Sequence, residues 1–349
     1  MNQNPRVLAV SGLKNTGKTR LIKSILPLLA DRGLRIAVIK HDGHRFDADR
    51  PGTDSYQYLE AGAFGTAVFD GEKYQFVKKD TVDEAALIGQ FPEADLILLE
   101  GFKLSHWPKL ELLRRGVSES PVCHASTRLA FVTDKEAPEP GFPVFSPDEL
   151  TALADFLQDF SCCGKDFSSI LLAGGRSSRM GVSKAELPFG GKRMIDHQIE
   201  RLGMLGIDDI VIAGFTGAVS EGRSVPDELP GRGPLGGLTS ALAAAAHDKC
   251  LVLSVDAPLV PLSVLFTLMR EHRNGITVVE HGGQTEPLIG VYDRALCSAC
   301  RKQLDEGRGS VRRLFETVPF SSMHCATEAI LLSNCNTPEE YRRMAALWF

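Results

Sequence analysis

ILLAGGRSSRMGVSK, residues 170–184, starts as the apolar run Ile170–Ala173 and breaks into a glycine-rich turn carrying Arg176, Arg179 and Lys184. Glycines let the backbone approach a ligand closely and turn its N–H groups inward. Arginine meets phosphate oxygens as a fork and lysine as a point charge. A buried strand feeding such a turn is a place for a polyphosphate, and three cations in one loop argue against an ordinary solvated strand end. Strand-then-loop order of this kind is that of an α/β fold, whose ligands sit at the carboxyl ends of strands.

The chain has 349 residues, which predicts about two domains. Its 43% hydrophobic and 24% charged residues are those of a globular protein with full cores. A net charge of −5 exerts no global pull on nucleic acid or anionic membranes, so anion binding must be local. The first strand is expected almost at the N-terminus, which leaves no room for a signal peptide. The longest apolar run, Leu238 to Ala246, falls short of the roughly 18 residues of a membrane helix. Eight cysteines at these spacings are no disulfide framework, and the lone Cys297-x-x-Cys300 lacks the second pair that zinc needs. The sequence reads as a cytoplasmic protein with reduced thiols.

In the first half, Gly12-Leu13-Lys14-Asn15-Thr16-Gly17-Lys18-Thr19 matches G-x-x-x-x-G-K-[ST]. It follows an expected strand, Arg6–Val10, and precedes an expected helix, Thr19–Asp31, apolar at 21, 22, 25, 26, 28 and 29. Gly12, Asn15, Thr16 and Gly17 belong to the backbone cradle, Lys18 reaches the β/γ oxygens and Thr19 holds Mg²⁺. A second strand, Arg35–Lys40, runs into a loop with His41, Asp42, His44, Asp47 and Asp49, which read singly as solvated residues rather than metal ligands. Asp95–Glu100 is an apolar strand that delivers Glu100 to Mg²⁺ or its water.

Together these residues resemble the MobB-type family of P-loop GTP-binding accessory proteins in molybdopterin-guanine dinucleotide biosynthesis. The carriers are SGLKNTGKT (11–19), VIKHDGHRFDADRPGTDSY (38–56) with AGA (61–63), and DLILLEGFK (95–103) with Pro108-Lys109. The likeness covers nearly all of residues 5 to 158. No N-K-x-D guanine-reading motif is present; Phe131-Val132-Thr133-Asp134 lies where one would sit, and GTP preference here follows from the resemblance alone.

Ser146-Pro147-Asp148-Glu149 reads as a helix start, with Ser146 as N-cap, and the helix is expected to end near Phe160. The expected division is residues 1–160, a linker at 161–168, and 169–349. Beyond Lys184 come an amphipathic helix, Met194–Leu205, and a strand, Asp209–Ala213. A second glycine-rich loop, Gly231–Gly237, leads into a helix from about Thr239. Asp227 ends a short extended piece, and Asp256 ends the apolar strand Leu251–Val255. A single carboxylate at the end of a central strand is a Mg²⁺ ligand candidate or the cap of the next turn. Gly307–Ser310 precedes an expected helix from Val311, whose start is a candidate anion site. Asn334 and Asn336 precede a helix capped by Thr337 and either meet a ligand or close the turn.

From Ser169 to about Tyr341 the chain resembles MobA-type molybdenum cofactor guanylyltransferases, which have a Rossmann-like, mostly parallel sheet. The carriers are LLAGGRSSRMG (171–181) with Lys184, LPFGGK (187–192), GPLGGL (233–238), SVDAPLVP (254–261), EPLIGVY (286–292) and NCNTPEE (334–340). The resemblance implies that Leu172, Ala173, Gly174, Gly175, Arg179 and Lys184 hold the nucleotide. Asp227 and Asp256 match the two family acids, with Asp256 the Mg²⁺ ligand, and Asn336 and Asn334 match late asparagines that touch substrate. Gly214-Phe215-Thr216 departs from the family pattern. The chain thus reads as a P-loop GTP-binding domain fused to a nucleotidyltransferase domain.

The implied reaction uses Mg²⁺ and moves GMP from GTP to the terminal phosphate of molybdopterin or molybdenum-molybdopterin, with Lys184, Arg179 and Asp256 as catalytic residues. Partners implied are molybdopterin-synthesis and molybdenum-insertion proteins and apo-molybdoenzymes, with no nucleic acid and no membrane. Three alternatives stay open: a cytidylyltransferase using CTP, a sugar-phosphate nucleotidyltransferase, and a GTP-dependent cofactor-delivery module. Cytidylyl relatives carry Ala-Ala-Gly where this chain has Ala173-Gly174-Gly175, so Gly174 reads as space beside a purine.

Overall fold

The computed structural model describes residues 5–42, 46, 49–136, 138–174, 183–228 and 231–348. In the first half the strands are β1 (Arg6–Ser11), β2 (Ile36–Lys40), β3 (Gly65–Phe69), β4 (Tyr74–Lys78), β5 (Leu96–Glu100), β6 (Lys109–Leu113), β7 (Arg128–Thr133) and β8 (Val144–Phe145). Its helices are α1 (Lys18–Asp31), α2 (Asp54–Glu60), α3 (Glu84–Ile88) and α4 (Leu150–Cys162). Six strands make one parallel sheet in the order β2-β5-β1-β6-β7-β8. β5 reads LILLE and is buried throughout, the continuous apolar run of a strand covered on both faces. α1 buries Leu21, Ile22, Ile25 and Leu29, one stripe of a 3.6-residue period. β3 and β4 form a separate antiparallel hairpin.

In the second half the strands are β9 (Phe167–Leu172), β10 (Pro188–Phe189), β11 (Lys192–Arg193), β12 (Asp209–Ala213), β13 (Arg223–Val225), β14 (Lys249–Ser254), β15 (Ile276–His281), β16 (Gln284–Asp293) and β17 (Phe320–His324). The helices are α5 (Met194–Met204), α6 (Pro234–Ala244), α7 (Leu262–Glu271), α8 (Cys297–Asp305) and α9 (Pro338–Trp348). The sheet order is β13-β12-β9-β14-β16-β15-β17. All neighbours are parallel except β16, which is antiparallel to both β14 and β15. The mixed, mostly parallel α/β architecture is the one expected.

Three local expectations are corrected. α4 starts at Leu150 rather than beside Ser146, because Ser146–Glu149 closes its own turn: Glu149 N–H donates to Ser146 O (3.0 Å), and Ser146 N–H donates to the Glu149 carboxylate (2.7 Å). α6 begins at Pro234, five residues before Thr239, because proline at the first helical position is already set to the helical φ. Val311–Glu316 is a 3₁₀ helix rather than an α-helix. At the junction α4 runs to Cys162 and β9 starts at Phe167, so the connection is tighter than the expected 161–168. Among the described residues no helix is long and apolar enough to cross a membrane, and the eight cysteines are free thiols.

The two halves are docked, with one apolar cluster running through both. Phe266 on α7 meets Phe156 and Phe160 of α4 edge-on, at 5.2 and 5.6 Å between centroids. Arg270 pairs with Asp159 (2.8 Å) across the same seam. The buried Arg6 guanidinium donates to Cys163 O and Gly206 O, both at 3.0 Å. At the end of the chain, Trp348 lies between His124 of the first half and His197 of the second, with ring centroids at 4.9 and 4.5 Å.

Burial pulls the His124 imidazole down to about 4 and that of His197 down to about 3. Above the ordinary histidine value of about 6.5 both are neutral, folded or unfolded, and contribute nothing. Below it the unfolded chain takes up protons that the folded chain refuses, so stability falls by about 1.4 kcal/mol per pH unit per histidine. Denaturant unfolding between pH 6 and pH 5 is expected to show this loss, and His124→Gln is expected to remove about one proton's share of the slope. An unchanged slope would mean that His124 is already protonated in the folded chain.

Candidate nucleotide sites

β9 pairs in parallel with β12 on one side and β14 on the other, with Leu172 opposite both Ala213 and Ser254. Three strand ends therefore open on one edge. The chain runs from β9 outward through β12 and β13, then crosses back to β14, so the edge between β9 and β14 is where the winding reverses. That is where open α/β sheets hold their ligands.

Lys184 and Asp256 meet there. Lys184 Nζ donates to Asp256 Oδ2 at 2.6 Å and to Asn336 Oδ1 at 2.8 Å. The Ser254 hydroxyl donates to Asp256 Oδ1, and Cys335 N–H donates to Asp256 O at 2.7 Å. The side chains of Lys184 and Asp256 are 21% and 11% exposed, so the pair lines a crevice rather than the open surface. Lys184, Asp256 and Asn336, drawn from three distant stretches of sequence, thus form one node. Half-buried Asn334 sits two residues away on the same segment.

Asp227 follows β13, three strand positions from β14. At about 4.8 Å per strand the two strand ends are on the order of 14 Å apart. Gly175, Arg176 and Arg179 lie outside the described residues, as do His44 and Asp47 of the earlier loop.

Gly174 is exposed at the end of β9, beside Gly214 at the end of β12. A Cβ on Gly174 would lie 3.1 Å from Gly214 Cα, and one on Gly214 (φ +78°) would lie 2.6 Å from Gly174 Cα. The two glycines make room for each other's backbone. The reading of Gly174 as space beside a purine is corrected accordingly: the missing methyl faces protein. The departure at Gly214-Phe215-Thr216 and the glycine at 174 are thus one feature.

The sequence reading missed the support behind Asp256. Gln198 on α5 donates to Ala257 O at 3.0 Å and, at longer range, to Ser254 O and Val255 O. Arg201 donates to Pro258 O (2.9 Å) and to Val260 O, and His197 Nε2 lies 3.2 Å from Pro258 O. Burial lowers the Arg201 guanidinium to about 9. The signal was present as polar residues on the buried stripe of α5.

In the first half, α1 starts at Lys18, and Lys18 Nζ folds over the loop to Gly12 O (3.2 Å) and Leu13 O (2.7 Å). Asn15 adopts a left-handed φ of 67° and the Thr16 hydroxyl donates to Leu13 O (2.9 Å), so both shape the loop. The Thr19 hydroxyl donates to the Glu100 carboxylate. Next to Thr16 and Gly17 a cavity of about 350 Å³ is lined by Arg20, Asp134, Ser146 and Asp148. Asp134 already accepts Arg115 N–H at 3.0 Å. Asp49 accepts from Arg50 N–H (2.8 Å) and the Thr53 hydroxyl, a structural role at the start of α2. Lys109 is wholly buried, donates to Ser105 O and Trp107 O, and is pulled down to about 8 by desolvation. Lys109, the first residue of β6, therefore clamps the 105–107 loop that leads into the strand.

Among the described residues no group of three or more His, Cys, Asp or Glu side chains could hold a metal. Thr19 with Glu100, and Asp256 with its neighbouring hydroxyl, are sparse oxygen sets. They fit Mg²⁺, which takes one or two protein oxygens and completes its shell with phosphates and water.

Residues 7–134 match the family model described as molybdopterin guanine dinucleotide synthesis protein B, and residues 169–326 match the MobA-like NTP transferase domain. The chain is 33% identical to the molybdopterin-guanine dinucleotide biosynthesis adapter protein of Escherichia coli, over 44% of this chain and 92% of that protein. It is 32% identical to the molybdenum cofactor guanylyltransferase of Xanthomonas euvesicatoria pv. vesicatoria, over 52% of this chain and 95% of that protein. The enzyme of that name from Pseudomonas fluorescens is also 32% identical, over 49% and 90%.

Gly214→Ala is expected to cost about 1–3 kcal/mol, because it combines a left-handed φ with a clash on backbone. Gly174→Ala, with ordinary φ, is expected to cost less. Denaturant midpoints of the two variants decide the point, and equal costs would contradict the back-to-back packing.

Proposed function

Because the chain belongs to the MobB family through its first half and to the MobA-like NTP transferase family through its second, we propose that it is a fused molybdenum cofactor guanylyltransferase. Its second half joins GMP from GTP to the terminal phosphate of molybdopterin or its molybdenum form. Its first half binds GTP at Gly12–Thr19 and assists. The observation that carries this reading is the Lys184–Asp256–Asn336 node at the edge between β9 and β14.

The acceptor is a phosphate, already ionised at neutral pH, so the reaction needs no side-chain base and no side-chain nucleophile. An acceptor oxygen attacks the α-phosphorus in line. The new O–P bond forms as the bond to the β-phosphate oxygen breaks, and pyrophosphate departs with the electron pair. Rate then depends on alignment and on neutralising charge. The Lys184 ammonium, held by Asp256 and Asn336, faces the crevice where the nucleotide phosphates would lie. Arg179, on the same loop, is assigned a second positive charge. Mg²⁺, with Asp256 as its protein ligand, would supply Lewis-acid neutralisation of the phosphates. In the first half Thr19 and Glu100 would hold the second Mg²⁺, and the cavity reaching Asp134 would take the base.

The test is incubation of the full chain with Mg²⁺, molybdopterin and each of GTP, CTP and ATP, with pyrophosphate and dinucleotide measured. Turnover is expected with GTP. Preference for CTP would overturn the guanylyl assignment, and turnover only with a sugar phosphate would overturn the cofactor assignment. Asp256→Asn is expected to lower turnover by at least about 10²-fold with the fold intact, and a fully active variant would remove Asp256 from the reaction.

A further inference from the structure

α9 joins two distant places. At its start, Asn336 and Thr337 N–H donate to the Glu340 carboxylate (2.8 and 2.9 Å), and Glu340 N–H returns to Thr337 Oγ1 (3.2 Å). This reciprocal cap fixes the segment whose Asn336 side chain accepts from Lys184. The helix is 11 residues long, about 16 Å at 1.5 Å per residue.

At its far end Trp348 packs edge-on against His197 (86° between planes) and lies 5.8 Å from Phe189, both in the second half. Gly190 is needed there, since a Cβ would come within 2.5 Å of the indole nitrogen. The third ring, His124, belongs to the first half. Its Nδ1 meets Ser126 Oγ at 2.7 Å and its Nε2 meets the carbonyl of Leu347. His197 in turn bonds Pro258 O, two residues past Asp256. One indole therefore touches the support of Asp256, carries the helix that steadies Lys184, and is closed off by a residue that a free-standing transferase half would not have. The residue after His124 begins the short 3₁₀ turn Ala125–Thr127, which runs into β7; β7 ends beside Asp134 at the P-loop cavity.

We infer that His124 and Trp348 are positioning residues for nucleotidyl transfer, and that the first half contributes to the reaction by locking the Trp348 end of α9 so that Lys184 and Asp256 are aligned. The inference rests on the transfer reading above. Neither residue reaches the crevice, so their loss should misalign the reacting groups rather than remove a ligand contact. Misplacement of this kind lowers kcat about ten- to a hundredfold, with KM for GTP changed much less.

The experiment is a double-mutant cycle in the full chain with His124→Ala, Trp348→Ala and the pair, reading kcat, KM for GTP and melting temperature, with Trp348→Phe as the conservative variant. The expected result is a kcat loss in each single variant, no further loss in the double, and recovery in Trp348→Phe. Additive losses, or wild-type kcat in His124→Ala, would overturn the inference. If Trp348→Ala does not fold, His124→Ala and Trp348→Phe still decide it. A readout free of turnover is the emission of Trp348 in a Trp107→Phe chain on adding GTP with Mg²⁺. A change that His124→Ala abolishes supports the link, and no change overturns it. If the wild-type chain transfers nothing from GTP, the transfer reading fails, and the emission result alone then decides whether the two halves are linked at Trp348.

Discussion

Lys184 and Asp256 are brought to 2.6 Å by segments 72 residues apart, and the arrangement of the second half serves that contact. A carboxylate and an ammonium taken partly out of water lose hydration, and their attraction offsets that cost only with good geometry and further hydrogen bonds. The structure supplies both. Asp256 takes a hydroxyl from Ser254, Lys184 finds Asn336 as a second acceptor, and the turn after β14 has its carbonyls met by Gln198, Arg201 and His197. Those α5 side chains are themselves buried, so they can turn only toward the loop they hold. The result is a pre-set ion pair at the edge where the sheet's winding reverses.

The contrast with the first half is physical. There the lysine of the phosphate loop, Lys18, is satisfied by the loop's own carbonyls, and the threonine by Glu100. Such a loop wraps the terminal phosphates of a nucleotide. Around Lys184 the carboxylate comes from the end of β14 and the amide from the segment just before α9. The aromatic seam of Phe156, Phe160 and Phe266, with Arg270 on Asp159, holds the two halves in one body.

Much of this was legible in the sequence because the signals are local. The Walker-type loop, the apolar run ending in Glu100, the strand before Gly174, and Asp256 after LVLSV each need only a few adjacent residues. Boundaries failed where a turn competed with a helix, as at Ser146–Glu149, or where proline started a helix inside a glycine-rich run, as at Pro234. The site's second layer was hidden for a different reason. His197, Gln198 and Arg201 share the buried side of α5 with Met194, Ile195, Ile199 and Leu202, and nothing local in the sequence says which loop they hold. Gly174 was misread for the same reason: its partner, Gly214, is a neighbour across two strands and 40 residues away in sequence.

The decisive measurement is a structure of the full chain with Mg²⁺ and a non-hydrolysable GTP analogue. Nucleotide is expected over the edge between β9 and β14, with a metal about 2.0–2.1 Å from an Asp256 oxygen and Lys184 Nζ on a phosphate oxygen with Asn336 still in contact. An analogue bound only at Gly12–Thr19, with the Lys184–Asp256 pair undisturbed, would contradict it.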